Sequence, residues 1–329
     1  MQKGPNFSLG YRQHVDIYGW VRLARSSQIV HVNEMHSNDL EYQIKYFLEI
    51  DKIGRIQFAN NTYLRAFIRK ILSARGNERL LDLGCGIGTV GKLLSPLFKN
   101  GGEIVGIDLN HELVEYGNDH WARPPHIRLE VGDANNIPYP ERYFQIVTSM
   151  GLYENVANLD RVLSETLRVL TRPGKILSIH IDMDRFIVTP CPEFNRRCYK
   201  DFVRGMQVVG IDVDAKRFIT TCKRRNLIFK EFQFVMEYKT QITDNFIKIM
   251  KEMMQSYYQN KKIMQKFVEF HFQFMRWIGW SYSEVWDAVH YLYSHSDQVA
   301  FLIKHKGEIY YRKTPMRIFL IQIFEESQI

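Results

Sequence analysis

The sequence predicts an α/β protein in which seven strands form a mostly parallel, doubly wound sheet that carries a C-terminal helical insertion. A short apolar stretch at Arg79–Leu83 leads into a glycine-rich turn and then into a helix with one apolar face. Strand-like and helix-like segments alternate from there to about residue 182, which favours a parallel sheet with helices on both faces. Residues from about 243 to 296 have helical spacing, and a last apolar strand follows at Arg317–Ile323.

Composition indicates an ordinary globular protein, since 45% of its 329 residues are hydrophobic and 24% are charged. The net charge of +8 would suit an anionic substrate, a membrane surface or nucleic acid, but a generally basic surface explains it more simply. The four cysteines form no C-x-x-C pair, which argues against a disulfide framework or a zinc site and favours a reducing, cytoplasmic setting. No run approaches the roughly 18 apolar residues of a spanning helix, so we expect no membrane span.

The glycine-rich turn after the first strand fits two classes of ligand. Gly86, Gly88 and Gly91 spell G-x-G-x-x-G, the fingerprint of dinucleotide-binding sites. The segment Asp82–Gly88 also resembles motif I of the class I S-adenosylmethionine (SAM) methyltransferases, in which an acid lies in the strand before the glycines. The carboxylate of Asp82 would repel a pyrophosphate, whereas SAM carries a positive sulfonium and an ammonium group. The turn therefore favours SAM and leaves a dinucleotide as the alternative.

Two acids at the ends of later strands narrow this choice. Asp108 ends the second strand, where a carboxylate can accept hydrogen bonds from both ribose hydroxyls of SAM or of NAD. Gly132–Pro138 reads G-D-A-N-N-I-P and resembles motif III of the same methyltransferases. In that motif the acid, here Asp133, accepts from the adenine amino group, and the next backbone N–H meets the ring. Dinucleotide enzymes have no particular use for this pattern, although an Asx-turn would also explain Asp133.

The other elements follow in the order of the same family. Asn61 is expected to cap a helix that Gly76 ends, before the first strand. After the fourth strand, at Tyr143–Ser149, a helix should end at Arg172-Pro173-Gly174, and the run from Arg168 to Gly174 again resembles the family. The remaining predictions are a fifth strand at Lys175–Asp182, an insertion at 190–210, a helix capped by Asp214, a sixth strand at Ile228–Tyr238, and the closing strand, which in the family is antiparallel.

The resemblance implies SAM as the cofactor, bound in a crevice at the carboxyl ends of the strands. It divides the chain into an N-terminal helical or irregular segment (1–60), a SAM-binding Rossmann-like core (61–240), a helical lid insertion (241–300) and the closing strand of the core (301–329). No metal is predicted, because Asp182 and Asp184 have no evident third ligand. The residues that we expect to contact the cofactor are Asp82, Gly84, Cys85, Gly86, Gly88, Asp108, Leu109, Asp133, Ala134 and Ser149.

The candidates for a catalytic base follow the fourth and fifth strands. His180 lies near the end of the fifth strand, and strand alternation puts it on the same face as Asp182 and Asp184. Tyr153, just after the fourth strand, is the second candidate, and Glu154 beside it is as plausible. A base assists methyl transfer when the acceptor is a hydroxyl or a protonated amine. A structural, hydrogen-bonded histidine is the alternative interpretation of His180.

The expected function is SAM-dependent methyl transfer to a small molecule, for example a lipid-like, quinone-like or secondary metabolite. Aromatic residues of the insertion could line a pocket for an apolar or aromatic acceptor, or pack a core. They include Phe270, Phe274, Trp277, Trp280, Trp286 and Tyr291.

An RNA or DNA methyltransferase and a non-catalytic SAM-binding protein are the alternatives. Nucleic acid is disfavoured because Ser149–Leu152 is not the Asn/Asp-Pro-Pro-aromatic tetrapeptide of adenine-amine enzymes. The flanks of Pro190-Cys191 also differ from those of a pyrimidine-attacking cysteine. The acceptor atom and the oligomeric state, including a homodimer, stay open.

Overall fold

The computed structural model describes residues 61–324 apart from residues 121, 123–125, 259–260 and 294, so the predicted N-terminal segment 1–60 lies outside the described residues. The described chain divides into two compact units. The sheet unit contains residues 61–181, 215–234 and 316–324, and the helical unit contains residues 182–214 and 235–315. Residues 182–214 thus group with the helices, whereas the sequence analysis placed the insertion at 241–300; those boundaries stay a prediction.

The described sheet has the strand order β3-β2-β1-β4-β5-β8-β6, and β7 also pairs with β8. Strands β1 to β5 are parallel to one another, and β8 runs antiparallel to β5. This arrangement confirms the predicted fold class, with the short β6 added to the seven expected strands. The strands are β1 (Arg79–Leu83), β2 (Glu103–Asp108), β3 (Ile127–Val131), β4 (Phe144–Met150), β5 (Leu170–Ile181), β6 (Ile187–Thr189), β7 (Phe229–Gln241) and β8 (Ile309–Ile323).

The helices of the sheet unit cover both faces of its strands. They are α1 (Thr62–Leu72), α2 (Thr89–Leu94), α3 (His111–His120), α4 (Leu159–Val169) and α6 (Lys216–Arg224). Because side chains alternate along a strand, Leu81 and Leu83 of β1 share one face and pack in a single core with α4 and α6. Asp82, on the other face, accepts from the backbone N–H of Gly91 in α2. The helices pack against both faces of the sheet, so the carboxyl ends of the parallel strands are the place for a ligand.

Three helix termini differ from the prediction. Helix α4 ends at Val169 and β5 begins at Leu170, so Arg172-Pro173-Gly174 lies within that strand and does not end the helix. The Asn61 side chain caps α1 by accepting from Leu64 N at 2.9 Å, as expected. The helix then ends at Leu72, where Ser73 takes the left-handed conformation, so Gly76 does not end it. The N-cap of α6 is Ala215, at φ 63, and not Asp214. At α1 and α6 a non-glycine residue in the left-handed conformation takes the terminal position.

The helical unit contains five helices among the described residues. They are α5 (Glu193–Val208), α7 (Asp244–Tyr258), α8 (Lys261–Met275), α9 (Tyr282–Tyr293) and α10 (His295–Lys304). Helix α5 occupies most of the segment that the sequence analysis described only as an insertion. It approaches α8 closely, because a Cβ at Gly205 would lie 2.6 Å from the Phe274 carbonyl oxygen. None of the described helices is both long and apolar enough to span a bilayer.

Candidate functional site

The glycine turn after β1 is hydrogen-bonded to the carboxyl end of β2. The backbone N–H groups of Gly84 and Cys85 donate to the carbonyl oxygen of Ile107 at 2.9 and 3.0 Å. Gly86 donates to Oδ2 of Asp108 at 2.8 Å. Gly84, Gly86 and Gly88 all have positive φ angles, 73°, 54° and 85°, a conformation that glycine adopts without steric cost. The predicted glycine turn and Asp108, the predicted ribose acid, are therefore joined by hydrogen bonds.

Asp82 is buried beneath this turn with both carboxylate oxygens hydrogen-bonded. It is 1% exposed, and its Oδ2 accepts from Gly91 N at 3.3 Å. Its Oδ1 accepts from the hydroxyl of Thr148 at 3.3 Å. Sequence reasoning missed Thr148, because only the register between β1 and β4 places it beside Asp82. Asp82 therefore braces the turn as well as contributing a negative charge under it.

Asp108 ends β2 with its carboxylate directed at two backbone donors. Its Oδ1 accepts from Asn110 N at 2.9 Å, while Oδ2 accepts from Gly86. The residue is 2% exposed, and each carboxylate oxygen has capacity for a second hydrogen bond. The side chain of Leu109, the next residue, is 54% exposed. This is the environment of an oriented acceptor that could bind the hydroxyls of a sugar.

Asp133 lies on the loop beside Asp108, since Gly132 N donates to the Asp108 carbonyl oxygen at 2.9 Å. Its Oδ1 accepts from the backbone and side-chain nitrogens of Asn135 at 2.8 and 2.9 Å, so the Asx-turn alternative is realised. Among the described residues Oδ2 of Asp133 has no hydrogen-bond partner. The Asx-turn therefore orients the carboxylate and leaves one oxygen for a ligand. Ala134, which follows, is 8% exposed.

Two residues of α4 anchor this loop from behind. Glu165 accepts from Ile137 N at 3.0 Å. Arg168 donates to the carbonyl oxygens of Ile137 and Tyr139 at 2.8 and 2.7 Å and also bonds Glu165. The hydrogen bond from Arg168 holds the pKa of Glu165 below its usual range. These contacts give a structural role to Arg168, the first residue of the run that the sequence analysis recognised, because it positions the loop that carries Asp133.

Ser149 lies at the carboxyl end of β4, in register with Leu83 of β1 and Ser178 of β5. The residue is 1% exposed, and its hydroxyl has no hydrogen-bond partner among the described residues. A buried hydroxyl without a partner is costly and points to a polar group that completes it. The residues that the sequence analysis chose in β1, β2 and β4 therefore meet at the same strand ends.

The structure places the two catalytic candidates in the interior of the sheet unit. Tyr153 is fully buried, its hydroxyl lies 3.2 Å from the Thr166 hydroxyl, and its ring stacks on Phe218. Burial raises the pKa of Tyr153. His180 is 1% exposed, and burial, with the charge of Arg317, lowers its pKa to about 3. The imidazole of His180 is therefore neutral near pH 7.

Two polar side chains lie against the imidazole of His180. Its Nε2 lies 2.7 Å from the Ser178 hydroxyl, which shares its face of β5. Its Nδ1 lies 3.3 Å from Oε1 of Glu154, on the loop after β4. Sequence reasoning named Glu154 only as an equal alternative and missed Ser178. The spacing of two residues between Ser178 and His180 along a strand is a signal that both side chains face the same way.

The aromatic residues that the sequence analysis proposed for an acceptor pocket belong to the helical unit. Phe274 packs against Phe202 inside the helical unit, while Trp277 is 58% exposed, and the Phe270 side chain lies outside the described residues.

A cavity of about 1020 Å³ opens at the amino ends of the strands of the sheet unit, where Arg79 and Lys175 line it. Within the described chain no group of three or more His, Cys, Asp or Glu side chains could hold a metal ion.

Comparison with known proteins identifies the family. A model of the methyltransferase domain matches residues 81–178, which contain the glycine turn, Asp82, Asp108, Asp133 and Ser149. A demethylmenaquinone methyltransferase of Lactobacillus johnsonii is 32% identical over half of this chain and 68% of its own length. The chain belongs to the class I SAM-dependent methyltransferases. SAM is the methyl donor of this family, so the predicted family and cofactor are confirmed.

Further matches have lower identity. A ubiquinone/menaquinone biosynthesis C-methyltransferase of Vibrio campbellii is 23% identical over 61% of this chain and 76% of its own length. Other curated relatives are matched over only about half of their length, 47% and 50%. A putative methyltransferase structure from Bacillus halodurans superposes with a TM-score of 0.47 at 14% identity, covering 79% of this chain and 99% of that chain.

Proposed function

We propose that this methyltransferase transfers a methyl group from SAM to a small molecule with an aromatic, quinol-type ring. The observation that carries the proposal is the direct bond between Gly86 N and Oδ2 of Asp108, which joins the glycine turn to a carboxylate at adjacent strand ends. The Asp133 loop is bonded to the same strand end through Gly132. Three carboxylates under and beside one turn suit a positively charged donor and would oppose a pyrophosphate.

The residues present fit SAM, and each would have a separate task. Asp108 would accept from the ribose hydroxyls, and Asp133, with the N–H of Ala134, would hold the adenine ring. The buried charge of Asp82 would favour the positive end of the donor. When bound, SAM supplies a methyl group that its sulfonium has already activated. The chain then contributes mainly by orienting the acceptor and excluding water, which can account for much of the rate.

The relatives guide the choice of acceptor. The names of two of them refer to demethylmenaquinone and to ubiquinone and menaquinone, which supports a quinol ring as the acceptor and a ring carbon as the methylated atom. The nucleic-acid alternative gains no support from Cys191, because burial raises the pKa of its thiol to about 11 and keeps it protonated at neutral pH. All four cysteines are free, which supports the proposed reducing, cytoplasmic setting.

Methyl transfer from labelled SAM tests this function. The purified chain is incubated with methyl-labelled SAM and, in separate reactions, with a reduced demethylated naphthoquinone, a phenolic non-quinone and total RNA. We expect label in the quinol, with the product heavier by one CH₂ group. Label only in RNA would support the nucleic-acid alternative. SAM binding without label in any acceptor would support a non-catalytic protein and would contradict the proposal.

A further inference from the structure

The polar cluster of Glu154, His180 and Ser178 lies at the carboxyl ends of β4 and β5, inside the sheet unit. We propose that Glu154 is the base that takes a proton from the methyl acceptor and that His180 positions Glu154 for this step. The proposal rests on the proposed function, because it needs an acceptor with an ionisable hydroxyl. The proposal also replaces the candidate bases His180 and Tyr153 by Glu154, which the sequence analysis named as equally plausible.

Accessibility separates the three candidate bases. The side chain of Glu154 keeps 9% of its surface exposed, whereas that of His180 keeps 1%. Tyr153 has no exposed surface. A base must come within hydrogen-bond reach of the proton that it removes. Of these three side chains, Glu154 keeps the most exposed surface, although its Oε2 atom is itself buried.

The loop that carries Glu154 borders the glycine turn. A Cβ added at Gly84 would lie 3.0 Å from Cβ of Leu152, so the loop and the turn are in close contact. Glu154 follows Leu152 by two residues. The base is thus placed beside the part of the chain that we expect to hold the methyl donor.

Several hydrogen bonds make the loop rigid. The guanidinium of Arg217 on α6 donates to the carbonyl oxygens of Tyr153 and Glu154 at 3.1 and 2.8 Å. The side-chain amide of Asn155 donates to the Gly151 carbonyl oxygen at 2.6 Å. A rigid loop keeps a catalytic group near its working geometry without further ordering when the substrate binds.

His180 is equally well fixed. Its ring lies 4.7 Å from the Phe218 ring and 5.2 Å from the Phe319 ring, centroid to centroid. A neutral imidazole has one N–H donor. If the Ser178 hydroxyl donates to Nε2, the proton sits on Nδ1 and faces the Glu154 carboxylate; the opposite tautomer would set a lone pair against it. The first arrangement is the favourable one.

The contact between Nδ1 and Oε1, at 3.3 Å, lacks the alignment of a formed hydrogen bond. Hydrogen bonds between catalytic groups are often long or misaligned until the substrate is bound. Other charged groups around the pair are Arg217 and Arg317, and Arg317 bonds Glu231 at 2.7 Å. Arg217 contacts the backbone of Glu154, and Arg317 is the positive charge that acts on His180.

The proton step is balanced. The acceptor O–H bond breaks, the proton forms an O–H bond with the Glu154 carboxylate, and the electron pair stays on the acceptor oxygen. Conjugation of that oxygen with the ring makes a neighbouring carbon nucleophilic toward the methyl group. As the carbon–carbon bond forms, the bond between the methyl group and the donor sulfur breaks. The ring carbon then loses its hydrogen as a proton to solvent, and Glu154 returns its own proton to the acceptor oxygen.

Activity measurements on Glu154→Gln test the base. Positioned bases contribute about 10²- to 10⁴-fold, so we expect kcat to fall by at least about 100-fold while the Kd for SAM changes less than about twofold. The acidic limb of the pH–kcat profile should disappear. Glu115→Gln, an exposed acid, is the control. Activity of Glu154→Gln within about threefold of wild type would overturn the proposal and leave the methyltransferase function standing.

Two substitutions of His180 separate positioning from packing. Asn places an amide N–H near the position of Nδ1, and Gln places one near Nε2. We expect His180→Asn to keep most of kcat and His180→Gln to lose it, with the acidic limb of its profile moved to higher pH. Equal losses in both variants, with an unchanged pH profile, would mean that His180 only packs.

The tautomer gives a test that does not depend on activity. Histidine labelled with ¹⁵N shows by two-bond proton–nitrogen couplings which nitrogen carries the proton. We expect His180 to carry it on Nδ1 and its signals to shift in Glu154→Gln. A proton on Nε2 would overturn the proposal even if no acceptor were found. Absence of methyl transfer by the wild type would count against the proposed function only.

Discussion

The backbone N–H of Gly86 donates to the carboxylate of Asp108 at 2.8 Å, across 22 residues of sequence. This bond aligns a carboxylate with the turn before any ligand is present. We predict that Asp108→Asn weakens SAM binding by about 1.5–3 kcal/mol, the range for hydrogen bonds to a charged group, or roughly 10- to 150-fold. Titration calorimetry measures the loss, and Asp119→Asn, an exposed acid, is the control. Unchanged affinity in Asp108→Asn would remove Asp108 from the site.

The left-handed glycine that starts the turn should be more sensitive to substitution than a left-handed glycine in open space. Gly84 has φ +73° and faces Leu152, whereas Gly101 has φ +85° with nothing within 4 Å. Alanine at either position incurs strain of about 1–2 kcal/mol. At Gly84 we expect overpacking to lower the free energy of unfolding by a further amount of about 1–3 kcal/mol. Urea denaturation measures this free energy. Equal losses at both positions would show that the Leu152 contact carries no cost.

The predicted effect of Arg168→Ala comes from the loop that Arg168 holds. The substitution removes the donor to the carbonyl oxygens of Ile137 and Tyr139. We expect a loss of about 1–3 kcal/mol in stability and weaker SAM binding, because the Asp133 loop is no longer anchored. Chemical denaturation and SAM titration measure the two effects, with exposed Arg75→Ala as the control. Full SAM affinity in Arg168→Ala would show that the loop does not need this anchor.

The buried imidazole of His180 should make the protein less stable in acid. Its pKa falls from 6.5 to about 3 because of burial and the charge of Arg317. Above pH 6.5 the imidazole is neutral in both states, and its contribution to stability is fully present. As the pH falls from there toward 3, the unfolded chain binds a proton that the folded chain excludes. The free energy of unfolding then decreases by up to about 1.4 kcal/mol per pH unit.

His180→Asn isolates this contribution, because the variant lacks the titrating ring. The stability difference between wild type and His180→Asn should shrink as the pH is lowered from about 7 to about 4 in urea denaturation series. His111→Asn, at an exposed position, should show no such trend. A difference that stays constant with pH would mean that His180 is not excluded from protonation in the folded state.

The first four strands were predictable because their signals are local. An apolar run followed by glycine or an acid defines each strand end, and β1 and the end of β2 lie where the sequence predicts them. Helix α5 was not predicted, since charged residues such as Arg196, Arg197 and Lys200 dominate its sequence. Strand β8 begins at Ile309, before the predicted Arg317, because pairing with β6 orders a stretch that contains Arg312 and Lys313.

The site was predictable to the same extent. Asp82, Asp108 and Asp133 belong to motifs that are contiguous in sequence, so each could be named. Their partners could not: Thr148 reaches Asp82 only through strand register, 66 residues apart. Glu154 and His180 likewise meet only when β4 and β5 are paired. Non-local pairing of this kind has no signature in one sequence.

Titration of SAM against the wild-type chain tests the central claim most directly, because the claim concerns the donor site and needs no acceptor. We expect saturable binding at one site per chain with a Kd in the micromolar range, corresponding to roughly −8 kcal/mol. S-adenosylhomocysteine, which lacks the methyl group, should compete for the same site. Binding of SAM no tighter than millimolar, or saturable binding of NAD in its place, would contradict the account.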